Sequence, residues 1–143
     1  MGLDAGVYKN LRNASEELRK QVRLVNAETG EIDYEDELRL PGYHRKDLYA
    51  IKIRIGNLSA IVELRGEVGD RLPGKSILMD AVLYHFAHTD DFIPLEKLDE
   101  LEREVKFIQA TPEPLRSDLQ AFLNEMTMLI DAARKEDNPI VFI

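Results

Sequence analysis

The chain has 143 residues, the usual length of one domain, and its 44% hydrophobic and 32% charged content is typical of a globular protein. The net charge of −8 argues against nucleic acid as a partner, and the lack of cysteine excludes disulfides and thiolate chemistry. No segment is apolar enough for a signal peptide or a membrane span, so we expect one cytoplasmic domain over residues 1–143 and no membrane partner.

The N-terminal third of the chain predicts two β elements. Leu3, Ala5 and Val7 alternate with small or acidic residues, which is typical of a short strand. Between about residues 21 and 35, two alternating segments flank a turn that contains Gly30, a residue free to adopt positive φ. Alternation on both sides of such a turn predicts a β-hairpin.

The segment from about residue 46 to 69 has two interpretations. Its apolar residues recur at spacings of three and four, which favours a helix with one buried face, interrupted at Gly56-Asn57. The alternative is a strand, because isoleucines alternate with basic residues at Ile51, Lys52, Ile53, Arg54 and Ile55. We predict the helix because it accounts for more of the apolar residues, although periodicity alone leaves residues 46–56 undecided.

The second half of the chain predicts two more helices and a last strand. Ser76 could cap the apolar segment 77–83, which fits either a helix or a buried strand. One amphipathic helix starts near Pro94, and the longest follows Pro114. The apolar terminus 140–143 predicts a strand beside the first strand or the hairpin.

These elements together predict an α+β fold. Three main helices would pack on a small, mainly antiparallel sheet that includes the hairpin and the C-terminal strand. The long apolar stripes and the apolar terminus would also be compatible with a homodimer.

The stretch from Tyr84 to Asp91 is the strongest chemical signal. It contains His85 and His88 at a spacing that places both on one helix face, followed by Asp90 and Asp91. Two imidazoles and a carboxylate can bind a divalent metal, with His44 as a third nitrogen ligand. The structural alternative is that one histidine packs in the core while the aspartates accept backbone hydrogen bonds. No cofactor is expected under that alternative.

Two further segments predict anion binding. The cluster His44, Arg45 and Lys46 follows Pro41-Gly42 and could hold an anion at a helix start, or form a solvated turn paired with nearby acids. Residues 69–76 satisfy the GxxxxGK[ST] spacing of a phosphate-binding loop, but no buried strand is predicted before Gly69. Nucleotide binding is therefore the weakest alternative.

Four short motifs resemble a group of small, uncharacterised bacterial proteins: Met1-Gly2-Leu3-Asp4, Val7-Tyr8-Lys9, Thr29-Gly30-Glu31-Ile32 and Arg54-Ile55-Gly56-Asn57. The resemblance covers about the first half of the chain and the region from Leu83 to Pro94. It implies a bacterial cytoplasmic origin and assigns no catalytic residues.

A small acidic interaction protein is the leading functional hypothesis, because the sequence carries no complete catalytic set. An acidic surface favours basic partners, so one candidate role is neutralising a toxin, as an immunity protein would. The alternative from another class is a metal-dependent enzyme or metal-binding protein that uses His85, His88 and Asp90 or Asp91.

Overall fold

The N-terminal strand β1, Gly2–Tyr8, is one of the two inner strands of the main sheet. The computed structural model describes residues 2–12, 16, 20, 24–26, 31–32, 46–84 and 92–143. The other strands are β2 (Leu24–Asn26), β3 (Glu31–Ile32), β4 (Tyr49–Asn57), β5 (Phe92–Ile93) and β6 (Ile140–Phe142). The main sheet is antiparallel with the order β4-β1-β6-β5.

Strand β1 has the alternation of apolar residues that the sequence predicted. Leu3, Ala5 and Val7 are buried and belong to the hydrophobic core. On one side β1 pairs with β4 along its whole length, and on the other Ala5 pairs with Phe142 of β6. The prediction that the C-terminal segment lies beside the first strand is therefore confirmed.

The predicted hairpin is present as an antiparallel pair of β2 and β3, in which Leu24 lies opposite Ile32. This pair forms its own two-stranded sheet, whereas we expected it to join the main sheet. Its turn, residues 27–30, lies outside the described residues.

The predicted helix over 46–69 is wrong in its first half, where residues 49–57 form β4 instead. The branched residues Ile51, Ile53 and Ile55 share one face of that strand, and β1 satisfies the backbone hydrogen bonds of one edge. Helix α1, Leu58–Arg71, begins only after Asn57, whose side-chain oxygen accepts from the amide of Ala60 at 2.9 Å.

Two more helices follow, as the sequence predicted. Helix α2, Leu98–Gln109, is preceded by a 3₁₀ turn at Leu95–Lys97, and helix α3 spans Ser117–Glu136. α3 packs across β1 and β4, α1 packs against β4 and α3, and α2 packs against α3. The α+β prediction of three main helices on a small antiparallel sheet is confirmed.

The core lies between the sheet and the helices. Its helical contribution comes from one stripe of each helix, namely Ile61, Leu64 and Val68; Leu98, Leu101, Val105 and Ile108; and Leu119, Phe122, Leu123, Met126, Leu129, Ile130 and Ala133. Burial of these side chains is the main stabilising contribution to such a fold. Among the described helices, none combines the length and apolar character needed to cross a membrane.

Candidate functional site

The predicted metal ligands His85, His88, Asp90 and Asp91 lie outside the described residues, and so does His44. In the described part of the chain, no three His, Asp or Glu side chains form a group that could hold a metal ion. The two residues that flank the histidine stretch are described: Tyr84 and Phe92 both have exposed side chains. The metal hypothesis therefore remains a sequence-based prediction.

The chain enters the histidine stretch from a π-helical turn, Leu78–Val82, that other elements hold at both ends. At its start, the Glu104 carboxylate of α2 accepts from the amides of Ile77 at 3.0 Å and Leu78 at 2.9 Å. At its end, the Arg65 guanidinium of α1 donates to the carbonyl oxygens of Met79 and Leu83. A negative group at the first amides and a positive group at the last carbonyls both favour a helical turn.

Of the two predicted anion sites, the described residues cover only the segment 69–76 in full. Of the cluster His44, Arg45 and Lys46, only Lys46 is described, and it is exposed in a helical turn before β4. Gly69 lies within α1, which continues to Arg71, so residues 69–76 form a helix end and a turn. A phosphate-binding loop follows a strand and precedes a helix, whereas this segment follows the helix α1. Ser76 caps the π-helical turn by accepting from Met79 at 3.1 Å.

Strand β4 is the described element best placed to bind a partner, because it forms one edge of the main sheet. It is nine residues long, whereas β5 at the opposite edge has only two. Alternate residues of an edge strand direct their N–H and C=O groups away from the sheet. From Ala50 to Asn57, the described residues supply no strand that pairs with this outer edge.

The helix-facing side of β4 is only partly covered. Ile55 is buried, but Ile51 and Ile53 pack against the core with part of their surface still accessible. Where α1 begins, Leu58 and Val62 are 52% and 55% exposed, although the sequence pattern placed them on the buried stripe. Residues four apart on a helix lie on the same face, so these two form one apolar surface beside the end of β4.

The opposite side of β4 is basic and aromatic. The rings of Tyr8 and Tyr49 stack with centroids 4.6 Å apart, and their hydroxyl oxygens are hydrogen-bonded at 3.0 Å. The ammonium group of Lys52 lies 5.8 Å from the centroid of the Tyr49 ring. A cation over an aromatic face is weakly attracted by the ring, so Tyr49 helps to orient the Lys52 side chain.

Gly6 allows this side of the sheet to pack closely. A Cβ atom at Gly6 would lie 2.9 Å from the carbonyl oxygen of Ile51 and 3.2 Å from Cδ1 of Tyr49. Gly6 also lies directly opposite Lys52 in the β1–β4 register. Lys52 therefore has no side chain across from it on β1.

The second basic residue of β4 has a partner inside the sheet. Arg54 lies opposite Asp4, and its guanidinium is 3.2 Å from an Asp4 carboxylate oxygen. Both side chains are partly exposed, so the ion pair contributes little stability. Among the described residues, Lys52 makes no such pair, and it is the exposed cation at the middle of the strand.

The sequence contained the signal for this site in the alternation of isoleucines with basic residues, but local pattern does not show which strand lies at an edge. A scan against models of protein families finds no match, and searches of curated proteins and of solved structures find none either.

Proposed function

We propose that the protein is a protein-binding module that recruits an extended segment of its partner to the outer edge of β4. The observation that carries the proposal is the edge itself, a nine-residue strand that pairs with β1 on one side only among the described residues. An added strand would complete the backbone hydrogen bonds of that edge, which is a common mode of peptide recognition.

Two further features support strand addition at β4. An edge strand presents a row of N–H and C=O groups that can pair with a strand of another chain. The accessible parts of Ile51 and Ile53 would gain burial against the side chains of an added strand. The proposal keeps the leading role expected from the sequence, a small interaction protein, and names the surface that would carry it.

Site-specific photo-cross-linking tests the proposal. A benzoylphenylalanine at Ala50, which is exposed on β4, should capture a partner in a lysate of the cells that make the protein. The matched control is the same group at Gln120, which is exposed on α3. We expect a protein that is captured at position 50 and not at 120, and whose cross-linked segment protects the β4 amides from hydrogen exchange.

Equal capture at both positions would contradict the proposal, because β4 would then have no special role. A captured segment that leaves the exchange of the β4 amides unchanged would contradict it as well. Neutralisation of a toxin would be one biological use of such a module, and the identity of the captured protein would test it.

Metal binding through His85, His88 and Asp90 or Asp91 is the second candidate function. The observation that favours it is that ordered elements lie on both sides of the stretch in the sequence. The π-helical turn precedes it, and β5, which pairs with β6, follows it. Elemental analysis of the purified protein, with His88→Ala as the matched variant, tests it. Absence of stoichiometric metal from the unmodified protein would remove this candidate.

A further inference from the structure

The charges along β4 specify the kind of strand that this edge accepts. We infer that the occupant is an extended acidic segment of another protein, with carboxylates alternating with apolar residues, and that it is not a second copy of this chain. The inference rests on the proposed function and adds the chemistry of the partner to it.

From Ile51 to Arg54 the register of β4 with β1 is regular, and the alternation of this segment sets the pattern that a partner strand must have. Ile51 and Ile53 lie on the helix-facing side, while Lys52 and Arg54 lie on the other. Directly opposite residues of paired strands point to the same side of the sheet. A strand added at the outer edge therefore places every second side chain beside an isoleucine and the intervening side chains beside Lys52 and Arg54.

The pairing of β4 with β1 shows which charge is favourable opposite Lys52 and Arg54. β1 places Asp4 opposite Arg54 and forms an ion pair with it, whereas it places Gly6 opposite Lys52. A carboxylate on an added strand opposite Lys52 would supply the partner that β1 does not. Opposite charges that face each other across strands are stabilising, and like charges are destabilising.

The same rule disfavours self-pairing in the registers centred on residues 52–54. An antiparallel pair of β4 strands related by a two-fold axis at Ile53 places Lys52 opposite Arg54 twice. Moving the axis to Lys52 or to Arg54 places two identical cations opposite each other.

The net charge of the protein also opposes an acidic partner at long range, but the local charges outweigh it. At physiological salt the screening length is about 8 Å, so acidic groups elsewhere on the surface act weakly at β4. Directly opposite side chains in paired strands have Cβ atoms only about 5 Å apart, well within that length. The Lys52 and Arg54 charges therefore determine which strand is preferred once contact is made.

Synthetic peptides as long as β4 test the inference with the full chain. In one peptide Glu alternates with Val and Thr, and in two matched peptides Gln or Lys replaces every Glu. Binding is followed by NMR titration together with the hydrogen exchange of the β4 amides. We expect the Glu peptide to bind at least about fivefold more tightly than the Gln peptide, and the Lys peptide to bind most weakly of the three. The bound Glu peptide should protect the β4 amides from hydrogen exchange.

Charge reversal at the central cation is the decisive variant. Lys52→Glu should weaken the Glu peptide about fivefold or more and strengthen the Lys peptide, because it inverts the charge opposite the added strand. Lys135→Glu, at an exposed position near the end of α3, changes the net charge equally and should alter either affinity less than about twofold.

Three results would overturn the inference. Equal affinity for the Glu and Lys peptides with protection of β4 would exclude acidic selectivity and leave strand addition intact. If no peptide at millimolar concentration protects the β4 amides from exchange, the acidic strand is excluded as the occupant. The comparison of cross-linking at positions 50 and 120 would then test the proposed function separately. A dimer of the free chain in sedimentation, with protected β4 amides, would show that a second copy is the occupant.

Discussion

The side-chain amide of Asn138 donates a hydrogen bond of 2.8 Å to the carbonyl oxygen of Tyr8, a residue 130 positions earlier in the chain. Asn138 is fully buried, and its backbone amide donates to Ala133 at the end of α3. Nearby, Asn10 contacts Glu136 through both its backbone and its side-chain amide. These bonds tie the end of α3 to the end of β1, where the candidate site begins.

Asn138→Ala should lower the free energy of unfolding by about 1–2 kcal/mol, because it removes a buried hydrogen bond to the carbonyl oxygen of Tyr8. Urea denaturation followed by circular dichroism measures the change. Asn124→Ala is the control, since Asn124 is exposed on α3, and it should be neutral or slightly stabilising. Equal shifts of the urea midpoint in both variants would contradict the structural role of Asn138.

Gly6→Ala should destabilise the fold by about 1–3 kcal/mol, because its Cβ atom would lie too close to the backbone of Ile51 and the side chain of Ile143. Gly66→Ala should do the opposite. Gly66 is exposed on α1 with no atom within 4 Å of an added Cβ, so the substitution should stabilise the helix by about 0.5–1 kcal/mol. Thermal unfolding of both variants checks the two signs together.

Glu104→Ala should release the start of the π-helical turn. The amides of Ile77 and Leu78 lose a charged acceptor, and we expect a loss of stability of about 1–3 kcal/mol. Hydrogen exchange should also become faster at these two amides than elsewhere in the turn. Glu100→Ala is the control, since the pair that Glu100 makes with Lys97 is exposed and its loss should change stability by less than about 1 kcal/mol.

Glu102 should contribute an acid-sensitive part of the stability. Hydrogen bonds from Arg134 and then Lys106 lower the pKa of the Glu102 carboxyl below its usual value of 4.5. The folded state therefore keeps this charge at a pH where the unfolded chain is already protonated. The stabilisation is present above about 4.5 and is lost as the pH falls through the lowered folded-state pKa.

Unfolding curves recorded from neutral to strongly acidic pH test that sign. Glu102→Gln should lower stability at neutral pH and should reduce the loss of stability on acidification. Glu125→Gln is the opposite case, because burial raises the pKa of the Glu125 carboxyl and its charged form opposes folding at neutral pH. That variant should be more stable at neutral pH. The same pH dependence in both variants would argue against the Glu102 ion pairs.

The helices after residue 94 were predictable because their apolar stripes are long. Residues such as Leu101, Val105 and Ile108 recur over three turns, and only a helix places them on one face. The segment containing β4 was not predictable in this way. Ile51, Ile55 and Leu58 happen to have helical spacing, and the evidence against a helix is the pairing with β1, which involves residues about 50 positions away.

The candidate site was less predictable than the fold. The basic and apolar residues of β4 were visible in the sequence, but their role depends on the strand order β4-β1-β6-β5. Strand order is set by long-range packing and leaves little local signal. The prediction at His85, His88, Asp90 and Asp91 stays a prediction, because those residues lie outside the described part of the chain.

The pairing of β1 with β6 has a consequence for synthesis. Ala5 of β1 leaves the ribosome 137 residues before Phe142, the residue of β6 with which it pairs. Until Phe142 has emerged, the edge of β1 that pairs with β6 lacks its native partner, and such an edge can pair with other chains. We therefore expect the nascent protein to need protection from aggregation until β6 has left the ribosome.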